Sequence, residues 1–423
     1  MGKGWKSIGK YSISAALPAG AQLLLLPVYS WYLSPEALGR LSLVQALILI
    51  FQLLSGQIFS AAIGRFWVSQ GEGVIRPAYI AVGGLSLLGA IPLLLLMGFS
   101  NPMGLISFEL MMYAWVIASL SSAESLYQAV CIQQGSATLH LRNTVLHVIG
   151  SVAGSLAGLF IISSDPEGVM AGRGIGMACV IIPLSLPYFF KLDYPSKISG
   201  LQIWKYVLPL IPYLFLQQLV LASDRWITGI LLDEKSVALM SYAVGFLSIC
   251  EMGYQALRNQ YQPDIYNDWQ QGESAHRWIK QLIRQGAWGT LLAGPCAAIG
   301  VMVLLPPVFH PLISLMPWIL AGFLFRLAFI SASLPEFFSP RSSFLVLTSL
   351  SGWITLVGLS WWGIPYLGLP AMAMAWMFSR VAAVLPLWLF PHPQYKIIAA
   401  YRSISWLLIL LIIISIGGII YLI

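Results

Sequence analysis

Apolar residues run through this chain in unbroken stretches of about twenty positions or more, separated by short polar turns, with none of the alternation that a strand would show. Spans are expected near 9–32, 38–64, 77–99, 107–132, 143–163, 171–190, 206–231, 237–262, 281–305, 309–333, 343–364, 367–390 and 404–423. Pro306-Pro307 and Gly363-Ile-Pro365 supply the turn signals at the two narrowest breaks. Backbone groups in hydrocarbon must be bonded within the segment, so continuous runs imply helices and exclude a membrane barrel. The expected class is all-α: a polytopic membrane helical bundle of about 12–13 transmembrane helices.

A weak internal repeat divides that bundle. Lys10-Tyr11 with Pro18 opens the first helix, and Lys205-Tyr206 with Pro212 opens the seventh. Each is followed by a short turn and a similar re-entry, Glu36-Ala-Leu-Gly-Arg-Leu-Ser42 and Lys235-Ser-Val-Ala-Leu-Met-Ser241. Gly172-Arg-Gly-Ile-Gly-Met177 at helix six is echoed by Gly368-Leu-Pro-Ala-Met-Ala373 at helix twelve, where small residues let helices approach closely. Two pseudo-symmetric six-helix lobes around a central cavity follow, residues 1–197 and 198–395, with 396–423 as an additional C-terminal helix.

Composition narrows the partners. The chain has 423 residues, 58% hydrophobic and 9% charged, far below the share of charge in a soluble domain. Lys and Arg fall on the N-terminal side at successive loops, with only Arg40, Arg173 and Lys235 opposite, which predicts a cytoplasmic N-terminus and makes most of the net charge of +7 topological. Cys131, Cys179, Cys250 and Cys296 read as small buried hydrophobes. His140, His147, His276, His310 and His392 are scattered without metal-ligand spacing, so no metal is expected. The opening Met1–Lys10 resembles a signal n-region, but the span after it is too long for a cleaved peptide and reads as a retained helix. The 263–280 segment, read as the longest cytoplasmic loop, has no phosphate-cradling glycines; no cofactor, nucleic-acid site or enzyme activity is expected.

Ionisable residues within spans are the functional candidates, because each costs at least about 2.5 kcal/mol at the bilayer centre unless it faces the bundle interior or water. Glu251 and Arg380 lie near mid-depth, Glu124 and Arg326 towards the cytoplasmic third, and Asp224-Arg225 towards the outer end of helix seven. Glu109 and Glu336 read as interfacial. Arg326 and Arg380, with Arg65 and Arg258 at the cytoplasmic ends of the matching helices two and eight, would favour phosphate, which a guanidinium grips bidentately. The competing reading is an ion pair of Glu251 with Arg326 or Arg380. Glu124 and Glu251, one per lobe, would suit a coupling cation or proton. For Asp224 and Arg225 two readings stand: Arg225 snorkels to the interface while Asp224 faces water, or both line the outer mouth of a vestibule. Pro18 and Pro27 in helix one, and Pro209 and Pro212 in helix seven, permit bending at equivalent places.

Ser223-Asp-Arg-Trp226, the turn Lys235-Ser-Val-Ala-Leu-Met-Ser-Tyr-Ala243, Tyr261-Gln-Pro263, Leu26-Pro27, Leu33-Ser-Pro-Glu-Ala-Leu-Gly39 and Gly64-Arg65 together resemble the polysaccharide transporter family. Ala238 stands where that family usually has a glycine. This family belongs to the multidrug/oligosaccharidyl-lipid/polysaccharide exporter superfamily. The resemblance implies a flippase of the bacterial inner membrane, moving an undecaprenyl-diphosphate-linked oligosaccharide such as an O-antigen repeat unit to the outer leaflet by alternating access. It implies a coupling ion, H+ or Na+, and as partners a polysaccharide polymerase and a chain-length regulator. It makes Arg65, Arg258, Arg326 and Arg380 the headgroup candidates and Asp224-Arg225 a family signature. A multidrug antiporter of the same superfamily, a lipid II flippase and a polymerase on the same lipid carrier are the alternatives.

Overall fold

The computed structural model describes residues 2–96, 106–190, 200–338 and 344–390. Every regular element among them is helical, and they pack as two compact units.

The first unit holds α1 (Gly2–Tyr32) up to Leu25, then α2 (Pro35–Leu54) and α3 (Phe59–Gln70), which form one interrupted span. It continues through α4 (Ile75–Leu96), α5 (Phe108–Gln133), α6 (Ala137–Ala157), α7 (Pro166–Phe190), α8 (Gly200–Val207) and α9 (Ile211–Leu231) up to Ala222. The second unit takes Leu26–Trp31 of α1 and the rest of α9. It adds α10 (Glu234–Leu247), α11 (Ile249–Gln270), α12 (His276–Leu304), α13 (Met316–Phe338), α14 (Phe344–Leu367) and α15 (Leu369–Leu389).

Polar residues mark the helix starts. Ser34 accepts the Ala37 N–H at 3.1 Å ahead of Pro35 and Glu36, and Asp233 accepts the Ser236 N–H at 2.6 Å ahead of Glu234. An acceptor at the cap, with an acid in the first turn, satisfies donors the helix cannot. The two re-entries noted in the sequence are therefore both capped helix starts.

The packing units change over within α9, between Ala222 and Ser223. Ile203 and Val207 of α8 are buried in the first unit's core with Phe59, Ile63 and Tyr79, so α8 and the first half of α9 stay with it. Two turns also fall elsewhere than expected. Pro365 lies inside α14, and the chain reverses at Gly368, whose φ of +61° favours a residue without Cβ. The 263–280 segment is largely helix, because Ile265 and Asp268 are buried and the Trp278 indole donates to Asp268 at 3.1 Å. The expected span 404–423 lies outside the described residues.

Among the described residues, nine helical segments are long and apolar enough to cross a membrane. The long helices that miss this measure are α1, α5 and α9, and the reason in α5 and α9 is polar side chains: a serine run with Glu124 in α5, and Gln217, Gln218, Asp224 and Arg225 in α9. A helix surrounded by others can carry such residues inward.

Candidate functional site

In the second unit, charged side chains from four helices gather. Glu251 sits in the first turn of α11 and Arg326 midway along α13. Arg326 Nε lies 3.3 and 3.2 Å from the two Glu251 oxygens, and its terminal nitrogen donates to Oε1 at 3.1 Å. Glu251 Oε1 also accepts from Gln255 at 3.1 Å, one turn along. The ion-pair reading thus holds for Arg326. With side chains 28% and 31% exposed, the pair is partly screened and partly wet.

Arg380 is placed differently. It lies on α15 one turn beyond Trp376, with its guanidinium carbon 4.7 Å from the centre of the indole. It feels the charges of Arg326, Glu251 and Asp224, yet its Nε is buried with no hydrogen-bond partner among the described residues. Asp224 of α9 is 4% exposed, so it does not face water as the snorkelling reading requires. Its Oδ1 instead accepts the N–H of Arg225 at 2.8 Å, while Thr228 donates to its carbonyl at 2.6 Å. Next to it, Ser223 accepts the Trp353 indole N–H at 2.9 Å.

The other two arginines stand apart from this cluster. Arg258 lies on α11 beyond Glu251 and donates to Gln262 at 3.0 Å. Arg65 is an exposed residue of the first unit, in α3. Pro18 and Pro27 lie within α1, Pro209 in a short 3-10 turn after α8, and Pro212 in the first turn of α9. Glu336, read from sequence as interfacial, is 3% exposed.

The first unit contains a cavity of about 430 Å³ bordered by Ser14 and Pro18 of α1, Glu124 and Gln128 of α5, and His140 and Thr144 of α6. Glu124 Oε1 lies 2.7 Å from His147 Nδ1 and 3.4 Å from Gln128 Nε2, which also donates to Thr144 at 3.0 Å. His140 lies in the field of the same carboxylate. The histidines that look scattered in sequence are therefore two turns apart on one helix, facing one acid. That spacing was the available signal. Trp376, one turn from Arg380, shows the same helical spacing.

No family model matches the chain, and no curated protein does. Solved structures do match. An inward-facing multidrug resistance MATE family transporter of the MOP superfamily aligns over 95% of this chain and 98% of its own, with 15% identity and a TM-score of 0.65. The outward-facing conformation of such a transporter gives 95%, 96%, 15% and 0.64. The chain has the MATE transporter fold. A MOP superfamily transporter from Pyrococcus furiosus, whose binding pocket is described as having reverse polarity suggestive of a different function, aligns over 95% and 96% at 15% identity with a TM-score of 0.62. At this identity the likeness establishes a multi-pass helical architecture and leaves the cargo to be argued from side chains.

Proposed function

We propose that this protein is a flippase for a lipid-linked oligosaccharide, carrying an undecaprenyl-diphosphate headgroup across the bacterial inner membrane by ion-coupled alternating access, with its N-terminus in the cytoplasm. The observation that carries this reading is Arg380. Its guanidinium lies on an aromatic face within the bundle, and its Nε has no acceptor among the described residues. A planar, permanently charged donor of this kind suits diphosphate oxygens and repels a cationic drug. Arg326 reinforces the local positive potential but is already engaged by Glu251, which makes it the second headgroup contact rather than the first. Arg258 and Arg65 serve as outlying contacts, and Asp224 with Arg225 as a gate on the bendable α9. On this reading Glu124 is the ion-coupling acid, because Glu251 already has both oxygens on Arg326.

Reconstitution in liposomes with labelled undecaprenyl-diphosphate sugar tests it. Label that moves from protected to accessible supports flipping; a lengthened glycan supports polymerisation; efflux of a cationic drug without either supports the antiporter. Arg380→Ala is expected to abolish flipping with insertion intact, and Arg380→Lys to restore it only in part, since an ammonium keeps the charge and loses the fork. Full flipping by the alanine variant removes Arg380 from the site.

A further inference from the structure

Arg380 can serve as an anion seat only if something holds its long side chain against the loss of rotamer freedom, and no carboxylate lies within hydrogen-bonding distance of its Nε among the described residues. The indole of Trp376 is the surface it rests on. That indole is 4% exposed and packs against Phe323 of α13, ring centres 5.3 Å apart. Beside it is a notch in α13. A Cβ built on Gly322 would fall inside the contact radius of Trp376 Cζ3 and 2.7 Å from Cε3, closer than real Cβ atoms come. The absent side chain at residue 322 is therefore what lets the indole seat against the α13 backbone, and the seated indole in turn presents its face to the guanidinium one turn further along α15.

We infer that Trp376, seated in the notch at Gly322, is a positioning residue for anion recognition: it holds the Arg380 guanidinium by cation–π contact with its in-plane N–H edges left for the oxygens of a phosphate or diphosphate group. Stacking engages the face of the guanidinium and leaves the edges that make bidentate bonds. A carboxylate partner would take those edges, as Glu251 does with Arg326. Arg326, although it too lies 5.4 Å from an aromatic ring centre, that of Phe329, spends Nε and a terminal nitrogen on Glu251, whereas the Nε of Arg380 has no acceptor among the described residues. This inference rests on the reading of Arg380 as the headgroup contact, and the test separates the two.

The experiment measures binding of inorganic pyrophosphate to the purified full chain in detergent, together with the substrate dependence of flipping in liposomes. Trp376→Leu keeps apolar bulk and removes the π face; it is expected to weaken pyrophosphate binding and raise the apparent KM about five- to thirtyfold, with the maximal rate little changed. Trp376→Phe keeps a smaller face and is expected to restore binding to within about threefold of the parent. Gly322→Ala is expected to weaken binding by displacing the indole, and to cost less when added to Trp376→Phe, where the two nearest ring atoms are gone and only the 3.3 Å approach to Met377 Cα remains. Should Trp376→Leu fail to insert, the Gly322→Ala and Trp376→Phe pair provides the same readout. Parent-like binding in Trp376→Leu, or in Gly322→Ala when that variant must serve, alongside lost binding in Arg380→Ala overturns the role of Trp376 alone. Parent-like binding in Arg380→Ala overturns the reading of Arg380 and this inference with it.

Discussion

The fourth span of each unit carries an ionisable residue, and the two have opposite sign: Glu124 on α5 and Arg326 on α13. Their partners differ in kind as well. Glu124 meets His147, Gln128 and the field of His140 beside a cavity of about 430 Å³. Arg326 meets a carboxylate that it grips through two nitrogens, with another guanidinium nearby. One unit therefore sets an acid against an imidazole, and the other a guanidinium against an acid. On the proposed function, a repeat that began as two copies would divide labour along this line, coupling in the first and anion binding in the second.

A second contrast lies in two helix pairs, α6 with α7 in the first unit and α14 with α15 in the second. On α6 and the turn after it, Gly150, Gly154 and Gly158 mesh with Gly168, Gly172 and Gly176 of α7 so closely that a Cβ on any of them would run into backbone of the facing helix. In α14 and α15 the corresponding approach is looser: a Cβ at Gly352 would lie 3.0 Å from Ser379 O, and one at Gly363 3.2 Å from Ala371 Cβ. Small residues on both faces allow backbone contact, and backbone cannot move aside as a side chain can. Gly172→Ala is accordingly the most damaging single methyl expected here. It should cost about 3 kcal/mol, read as a lowered Tm in detergent or as loss of inserted protein. An unchanged Tm would mean that α6 and α7 are not locked as described.

The contrast in charge can be broken from the side of the first unit. Glu124→Gln keeps shape and hydrogen-bonding capacity but cannot trade a charge. If Glu124 couples transport to an ion, liposome flipping driven by an imposed pH or sodium gradient should fall about tenfold, with the gradient-free rate retained. A gradient response equal to that of the parent would assign coupling elsewhere. From the second unit, the smaller test is a double-mutant cycle on Glu251→Gln and Arg326→Gln, where a coupling of about 1 kcal/mol is expected because the pair is partly exposed. The same cycle on Glu124 and His147 should give less, and a larger value there would make the first unit's pair the more firmly held of the two.

The spans were legible in sequence because lipid imposes one rule on every segment: apolar outside, backbone satisfied within. The residues that depart from that rule were legible too, since Glu124, Asp224, Glu251, Arg326 and Arg380 stand out against their neighbours. What could not be read was which of them meet. Glu251 and Arg326 are 75 residues apart, and whether either turns toward the other depends on the rotation of α11 and α13 about their axes, which periodicity leaves open when neither helix sorts its polar residues to one side. The same ambiguity hid the opposition of His147 to Glu124. Turns failed for a different reason. Pro365 looked like a break, but a membrane helix tolerates proline where neighbouring groups take up the freed carbonyl, and Gly368 was the residue that reversed the chain.

The weakest expected effect completes the comparison of the two helix pairs. Gly363→Ala places a methyl 3.2 Å from the Ala371 methyl, a contact tighter than usual but between two side-chain carbons at the ends of α14 and α15 rather than against backbone. A shift of a few tenths of an ångström relieves it, and alanine regains the backbone entropy that glycine loses in a helix, about 0.5–1 kcal/mol. These terms oppose each other, so the Tm of Gly363→Ala should stay within about 2 °C of the parent, where Gly172→Ala lowers it by several degrees more. Equal damage from both substitutions would show that the second pair is locked as tightly as the first, and that the difference between the units lies in their charges alone.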